Sequence, residues 1–259
     1  MAKKNPEGQM LLQEHFREFR NRVLLVVVGL LLGAVGGWFL FDPVFNSLAA
    51  PVLAMEAEGR NAALNFTTVA SAFDMRMRVS LFLGALVTSP WWLYQMWAFA
   101  APGLKRNERR YVLGFTAATI PLFLLGALLG WLLLPHAVSM FMSVTPDAGA
   151  NFIDARTYLT FCMRLILAFG IAFLFPIVMI ALNMMGIIRG RTFLTGWRWA
   201  VVLIFTFAAF ANPLPDPWTM IALGVIMVGL FYVAAWLCIL HDRRADRKRA
   251  AHEAELGLT

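Results

Sequence analysis

Charge along this chain comes in bursts, and the intervals between bursts are almost wholly apolar. Six such intervals stand out, at 23–41, 79–104, 111–146, 165–188, 199–215 and 217–241. A bilayer core about 30 Å thick takes roughly 20 mostly apolar residues in a helix, so each interval predicts a membrane-spanning element. The predicted fold class is all-α, a polytopic membrane protein with six transmembrane helices, at about 23–41, 76–101, 110–134, 158–184, 198–212 and 217–239. They make one domain over 1–241, followed by a charged tail at 242–259. The fifth helix is expected to be short, because NPLPDP stops it at 211, after about 20 Å of rise. The same break allows the sixth to be short as well. Before the first span, Leu12, Phe16, Phe19 and Val23 share one helical face, while Glu14, Arg17, Glu18, Asn21 and Arg22 lie elsewhere. That pattern predicts an interfacial amphipathic segment over 1–22 that runs into the bilayer. The loop 42–73 is long and partly apolar, and is expected to pack as an outer cap of short helices.

Composition agrees with this pattern: 60% of residues are hydrophobic and 14% are charged, against about 25% charged in soluble domains. The net charge of +7 and a pI near 10.0 raise the question of nucleic acid. The distribution of the cations answers it. Seventeen Lys and Arg fall in the N-terminal segment, the second and fourth loops and the tail, whereas the first, third and fifth loops hold only Arg60 and Arg156. This asymmetry predicts that both termini face the cytoplasm, in an integral membrane protein with no nucleic-acid partner. A first apolar run longer than a signal-peptide core, with Pro51 following the small-residue site LAA, argues against a cleaved leader. Cys162 and Cys238 are assigned to different depths and to buried packing.

Little here could carry catalysis. The sequence has no metal-ligand cluster, nucleotide loop or nucleophile triad, and its four histidines are scattered. An enzyme is not expected, nor a metal or cofactor. The spans lack the carboxylate at membrane depth that an ion-coupled carrier normally carries. A small-solute carrier would also call for matched broken helices in two halves, and only the fifth span is broken. A structural scaffold, the other alternative, needs no cytoplasmic carboxylate. Arg164 is the only charge well inside a span; it either snorkels to the outer headgroups or meets a polar partner within the bilayer. Arg76 and Arg78 read as anchors at the same surface. In the loop APGLKRNERR at 101–110, Glu108 stands alone among four cations. It either opens the third helix behind an Asn107 cap, favoured by the helix dipole, or is a carboxylate held for an incoming guanidinium. Glu18, on the polar side of the preceding segment, is a second carboxylate of that kind.

The opening HFREFRNRVL, the outer-loop AAPVL, YQMWAFAAPGLKRNERR, FGIAFLFPIV and NPLPDPW, in this order across six predicted spans, resemble the TatC family of the twin-arginine translocase. The resemblance covers nearly the whole chain. It implies a receptor and core subunit that binds the paired arginines of signal peptides on folded cargo. Such a receptor recruits TatA-type single-span subunits, and in some systems TatB-type ones, for translocation driven by the proton-motive force; it works as a homo-oligomer within the complex. Carried over by motif, Glu18 and Glu108 engage the signal arginines, while Arg20, Phe99, Pro102 and Arg109 shape the same surface. Pro51 belongs to the outer cap and Asp216 to the turn between the fifth and sixth spans. The sequence departs from the family at Leu174, two residues before Pro176, and at Tyr232, where members commonly carry intramembrane Glu. Arg164 and Thr206 are candidate polar substitutes, and a TatA-type helix is expected to dock near 173–177 and the fifth helix.

Overall fold

The computed structural model describes residues 12–57, 62–66, 68, 70–100, 109–143, 151–211 and 217–255. The chain divides into two compact units, Met1–Gly170 and Ile171–Thr259. In the first lie α1 (Leu12–Phe39), α2 (Phe41–Ala57), β1 (Ala62–Asn65), α3 (Ser71–Val87), α4 (Ser89–Ala100), α5 (Arg109–Ser143), β2 (Asn151–Asp154) and most of α6 (Ala155–Ala172). The second holds α7 (Phe175–Met184), α8 (Gly190–Thr195), α9 (Trp197–Ala211) and α10 (Pro217–Glu255). Four stretches are long and apolar enough to cross a membrane: Gln13–Phe39, Leu113–Met140, Ala155–Met184 and Pro217–Arg247. Trp197–Ala211 is a shorter apolar helix.

In the first unit the backbones of α1 and α3 come unusually close. A Cβ placed on Gly33 would sit 2.6 Å from the Thr88 methyl and 2.9 Å from the Gly84 carbonyl, and one on Gly84 would sit 2.5 Å from the Ala34 nitrogen. Gly37 meets Ser80 in the same way. Small residues at intervals of four let apolar helices approach where no water-driven force holds them together. The predicted second span is divided between α3 and α4. Pro90, second in α4, supplies no N–H to the preceding turn and disfavours helix at the residue before it. The Thr88 hydroxyl instead donates to the Gly84 carbonyl at 2.6 Å. Helix α4 is fixed to α5 by indoles: Trp97 Nε1 donates to Thr119 Oγ1 at 2.8 Å, its ring stacks on Phe115, and Trp92 meets the buried Phe123 edge-on.

The all-α expectation needs one correction. β1 and β2 form a two-stranded parallel sheet, with Ala62 opposite Asn151 and Asn65 opposite Asp154. Each strand is four residues long; pairing satisfies backbone groups of two loops that no helix could absorb. Asp154 then caps α6, accepting the Thr157 N–H and hydroxyl, each at 2.8 Å. The loop 42–73 contains a helix, α2, and Tyr158 donates to its Leu48 carbonyl at 2.7 Å.

In the second unit α10 packs against α7, α8 and α9 around Phe231, Leu223 and Ile204. The sixth helix is not short: α10 runs 39 residues, unbroken from the apolar stretch into the charged tail. The tail is rich in Ala, Arg, Lys and Glu, all good helix formers, and contains neither Pro nor Gly before Gly257 to stop it. Cys162 and Cys238 are buried free thiols.

Candidate functional site

Helix α1 meets α4 through a stripe the sequence pattern did not single out. His15, Glu18, Phe19 and Arg22 follow each other at three- and four-residue intervals, so they share a face. Gln95 and Phe99, four apart on α4, face them. Phe99 stacks on His15 with ring centroids 4.6 Å apart, and Phe19 tilts against it at 5.4 Å. The Arg22 guanidinium is shared: Nη2 and Nε donate to Glu18 Oε1 at 2.7 and 3.0 Å, while Nη1 donates to the buried Gln95 Oε1 at 3.0 Å. Apolar side chains of the same helix stand outward, with Phe16 71% and Val23 41% exposed.

Glu18 belongs to this polar stripe, on the side of α1 that meets α4, with its side chain 21% exposed. Oε1 carries both Arg22 bonds, whereas Oε2 is buried with no hydrogen-bond partner. Beside it an open recess of about 550 Å³ is lined by Glu14, Arg17, Glu18, Asn21, Arg22 and Leu25. A carboxylate with one oxygen occupied and one empty is a monodentate acceptor for a further cationic donor.

Of the other sequence-derived positions, Arg20 is exposed roughly 200° around α1 from Glu18, away from Phe99. Arg109 begins α5. Pro102 and Glu108, with its proposed Asn107 cap, lie outside the described residues, as does Asp216. Pro51 sits half-buried inside α2. Arg164 is exposed on α6. Leu174 ends the turn between α6 and α7, where its N–H donates to the Ile171 carbonyl at 3.0 Å, and Pro176 is buried in the first turn of α7. Thr206 is exposed and bonds its own helix, donating to Val202 O at 2.7 Å, so its hydroxyl is already engaged. Tyr232 is 43% exposed on α10.

Two carboxyls near the paired loops are perturbed. Hydrogen bonds from the Thr157 N–H and hydroxyl hold Asp154 below the usual carboxylate range. The Arg78 guanidinium, 2.9 Å away, does the same for Asp74, and Arg156 adds attraction from 3.4 Å. Among the described residues no group of His, Cys, Asp and Glu could hold a metal ion.

The family model for Sec-independent protein translocase protein (TatC) matches residues 14–225. The chain belongs to the TatC family. A TatC from Xylanimonas cellulosilytica is 49% identical over 93% of this chain and 88% of its own length, and one from Rothia mucilaginosa is 38% identical over 95% and 85%. A crystal structure of the twin arginine translocase receptor TatC superposes with a TM-score of 0.75 at 28% identity, covering 87% of this chain and 98% of that one. A second, in DDM, reaches 0.77 at 27% identity over 86% and 99%. As a TatC-family member the chain is an integral membrane component of a protein translocase and not an enzyme.

Within the TatC frame, Glu18 and Phe99 are the sequence-derived site residues that the fold brings to one place, and they meet through His15, Phe19 and Arg22. Sequence reasoning missed His15, Gln95 and Arg22 as parts of this site. The four-residue spacing of Glu18 and Arg22 was a readable signal for their pair.

Proposed function

We propose that this chain is the signal-peptide receptor and core subunit of a twin-arginine translocase. It spans a prokaryotic plasma membrane six times, with both termini in the cytoplasm; the second span runs through α3 and α4, and the short fifth is α9. Its Glu18, together with Glu108, receives the paired arginines of a folded cargo's signal peptide, on a surface shaped by Phe99, Pro102, Arg20 and Arg109. The observation that carries this reading is the unpartnered Oε2 of Glu18 beside the Phe99 stack. A guanidinium fork matches a carboxylate in a way that a lysine ammonium does not, which suits discrimination of RR from KK. The fold of the crystallised twin arginine translocase receptors, shared over most of this chain, supports it further. A TatA-type single-span subunit docks near Leu174 and Pro176 and along α9, whose Trp199, Val202, Leu203 and Phe210 are exposed and apolar. Pro51 belongs to an outer cap, and Asp216 to the turn between the fifth and sixth spans. Photocrosslinking from positions 99–110 to a precursor bearing RR or KK tests the receptor role. Strong adducts with RR and weak ones with KK are expected; equal adducts would refute it.

A further inference from the structure

In the second unit, the corner where α7 turns into α8 against α10 holds a polar recess that the translocation reading does not use. It encloses about 420 Å³, and its lining includes Asn183, Arg189, Arg191, Asp242, Arg243 and Asp246. The turn that builds it needs Gly186, whose φ of 71° an L side chain rarely adopts. Asp242 is occupied: Oδ1 accepts Asn183 Nδ2 at 2.9 Å and Oδ2 accepts the Gly190 N–H at 2.7 Å. Asn183 Nδ2 also donates to the Ile188 carbonyl at 3.0 Å, so the orientation of the amide is fixed by two acceptors. Its Oδ1 is left without a donor in a side chain only 4% exposed, a costly arrangement for a buried acceptor.

The cations are the reverse. Arg189, Arg191 and Arg243 are exposed, and among the described residues none forms an ion pair. Three arginines without ion pairs among the described residues therefore line a cavity whose second carboxylate, Asp246, is also unpaired there. The recess lies where the apolar run of α10 gives way to charge at 241–243, and on the same side of α10 Tyr232 and Trp236 stand exposed just before it. Cations at that boundary, with apolar surface leading away, fit a molecule that is itself anionic at one end and hydrocarbon at the other.

We propose that this recess binds the phosphodiester headgroup of an acidic glycerophospholipid. Arg189, Arg191 and Arg243 pair with phosphate oxygens in charge-assisted hydrogen bonds. Hydroxyls of a glycerol-type headgroup donate to Asp246, and an acyl chain follows the exposed α10 side chains. Nothing in this assignment depends on the chain binding a signal peptide.

The test titrates the full-length chain, purified in neutral detergent, with phosphatidylglycerol, phosphatidylcholine and inorganic phosphate, and counts bound lipid by native mass spectrometry. The variant R189Q/R191Q/R243Q is compared with R198Q/R244Q/R247Q, which removes the same charge outside the recess. Loss of three charge-assisted pairs should weaken phosphatidylglycerol binding at least about tenfold in the first variant and less than about twofold in the second. Phosphatidylcholine should bind weakly and equally to all three proteins. Equal losses in both variants, or none in the first, would overturn the site. Inorganic phosphate binding as tightly as phosphatidylglycerol would overturn the lipid assignment. Should the triple variant fail to fold, R243Q alone, at an exposed position, must shift affinity in the same direction.

Discussion

Replacing Glu18 by Gln removes a charge and almost no volume. In the wild type, Arg22 binds Oε1 twice and leaves the buried Oε2 without a partner, so an arriving guanidinium has one unclaimed oxygen to address once the side chain turns to uncover it. A hydrogen bond between charged partners is worth about 1.5–3 kcal/mol, or roughly 10- to 150-fold in affinity at 1.4 kcal/mol per decade. The side chain is partly exposed, and screening by solvent trims such pairs, which puts the expected loss near the lower end, about tenfold. A labelled twin-arginine signal peptide, titrated against the protein in nanodiscs and followed by fluorescence anisotropy, reads this directly. The RR peptide should fall toward the affinity of its KK counterpart, while KK itself barely moves. The unfolding midpoint of the variant should drop only slightly, because Arg22 keeps Gln95 and a neutral amide oxygen. If E18Q retained the full RR-over-KK preference, the reasoning that makes Glu18 a guanidinium acceptor would be wrong.

Two further outcomes follow from the packing and the loops. Gly33→Leu must push α1 away from Thr88 and Gly84, at an overpacking cost of about 1–3 kcal/mol; thermal unfolding in detergent should show a lower Tm, and an unchanged one would contradict the close approach. Asp154→Ala should cost about 0.5–2 kcal/mol through loss of the α6 cap. It should also flatten the acid limb of stability against pH. The folded Asp154 carboxyl lies below its ordinary value of 3.8, so its contribution is complete above that value. It fades as pH falls through the lower folded value, because only the ionised form is favoured by the Thr157 donors. An acid limb equally steep in the variant would count against this assignment.

The large-scale plan was legible because a bilayer imposes it on composition: uncharged runs marked the four long apolar helices, and NPLPDP marked the end of α9. What escaped notice depended on partners distant in sequence. β1 reads AALN and β2 reads NFID, too short and too irregular for a period-two signal, and they exist only because the two loops meet. The division at Thr88 was carried by a single Pro inside an otherwise uninterrupted apolar run. Gly29, Gly33 and Gly37 recur every four residues, yet what they meet, Trp91, Gly84 and Ser80 respectively, lies far along the chain. At the site, Glu18 was singled out by charge and by family motif, and its pairing with Arg22 was readable from their spacing. What α4 contributes was hidden, because Gln95 and Phe99 reach the stripe from roughly seventy to eighty positions away.

Helix α10 has a mechanical consequence. At 1.5 Å per residue its 39 residues make a rod about 58 Å long, nearly twice a hydrocarbon thickness of about 30 Å. The residues beyond its apolar run, 242–255, make about 21 Å of that rod, a rigid lever continuous with the apolar part. A tilt of roughly 10° in the apolar part would sweep the far tip of the lever through about 4 Å, so the tip moves whenever the last span leans.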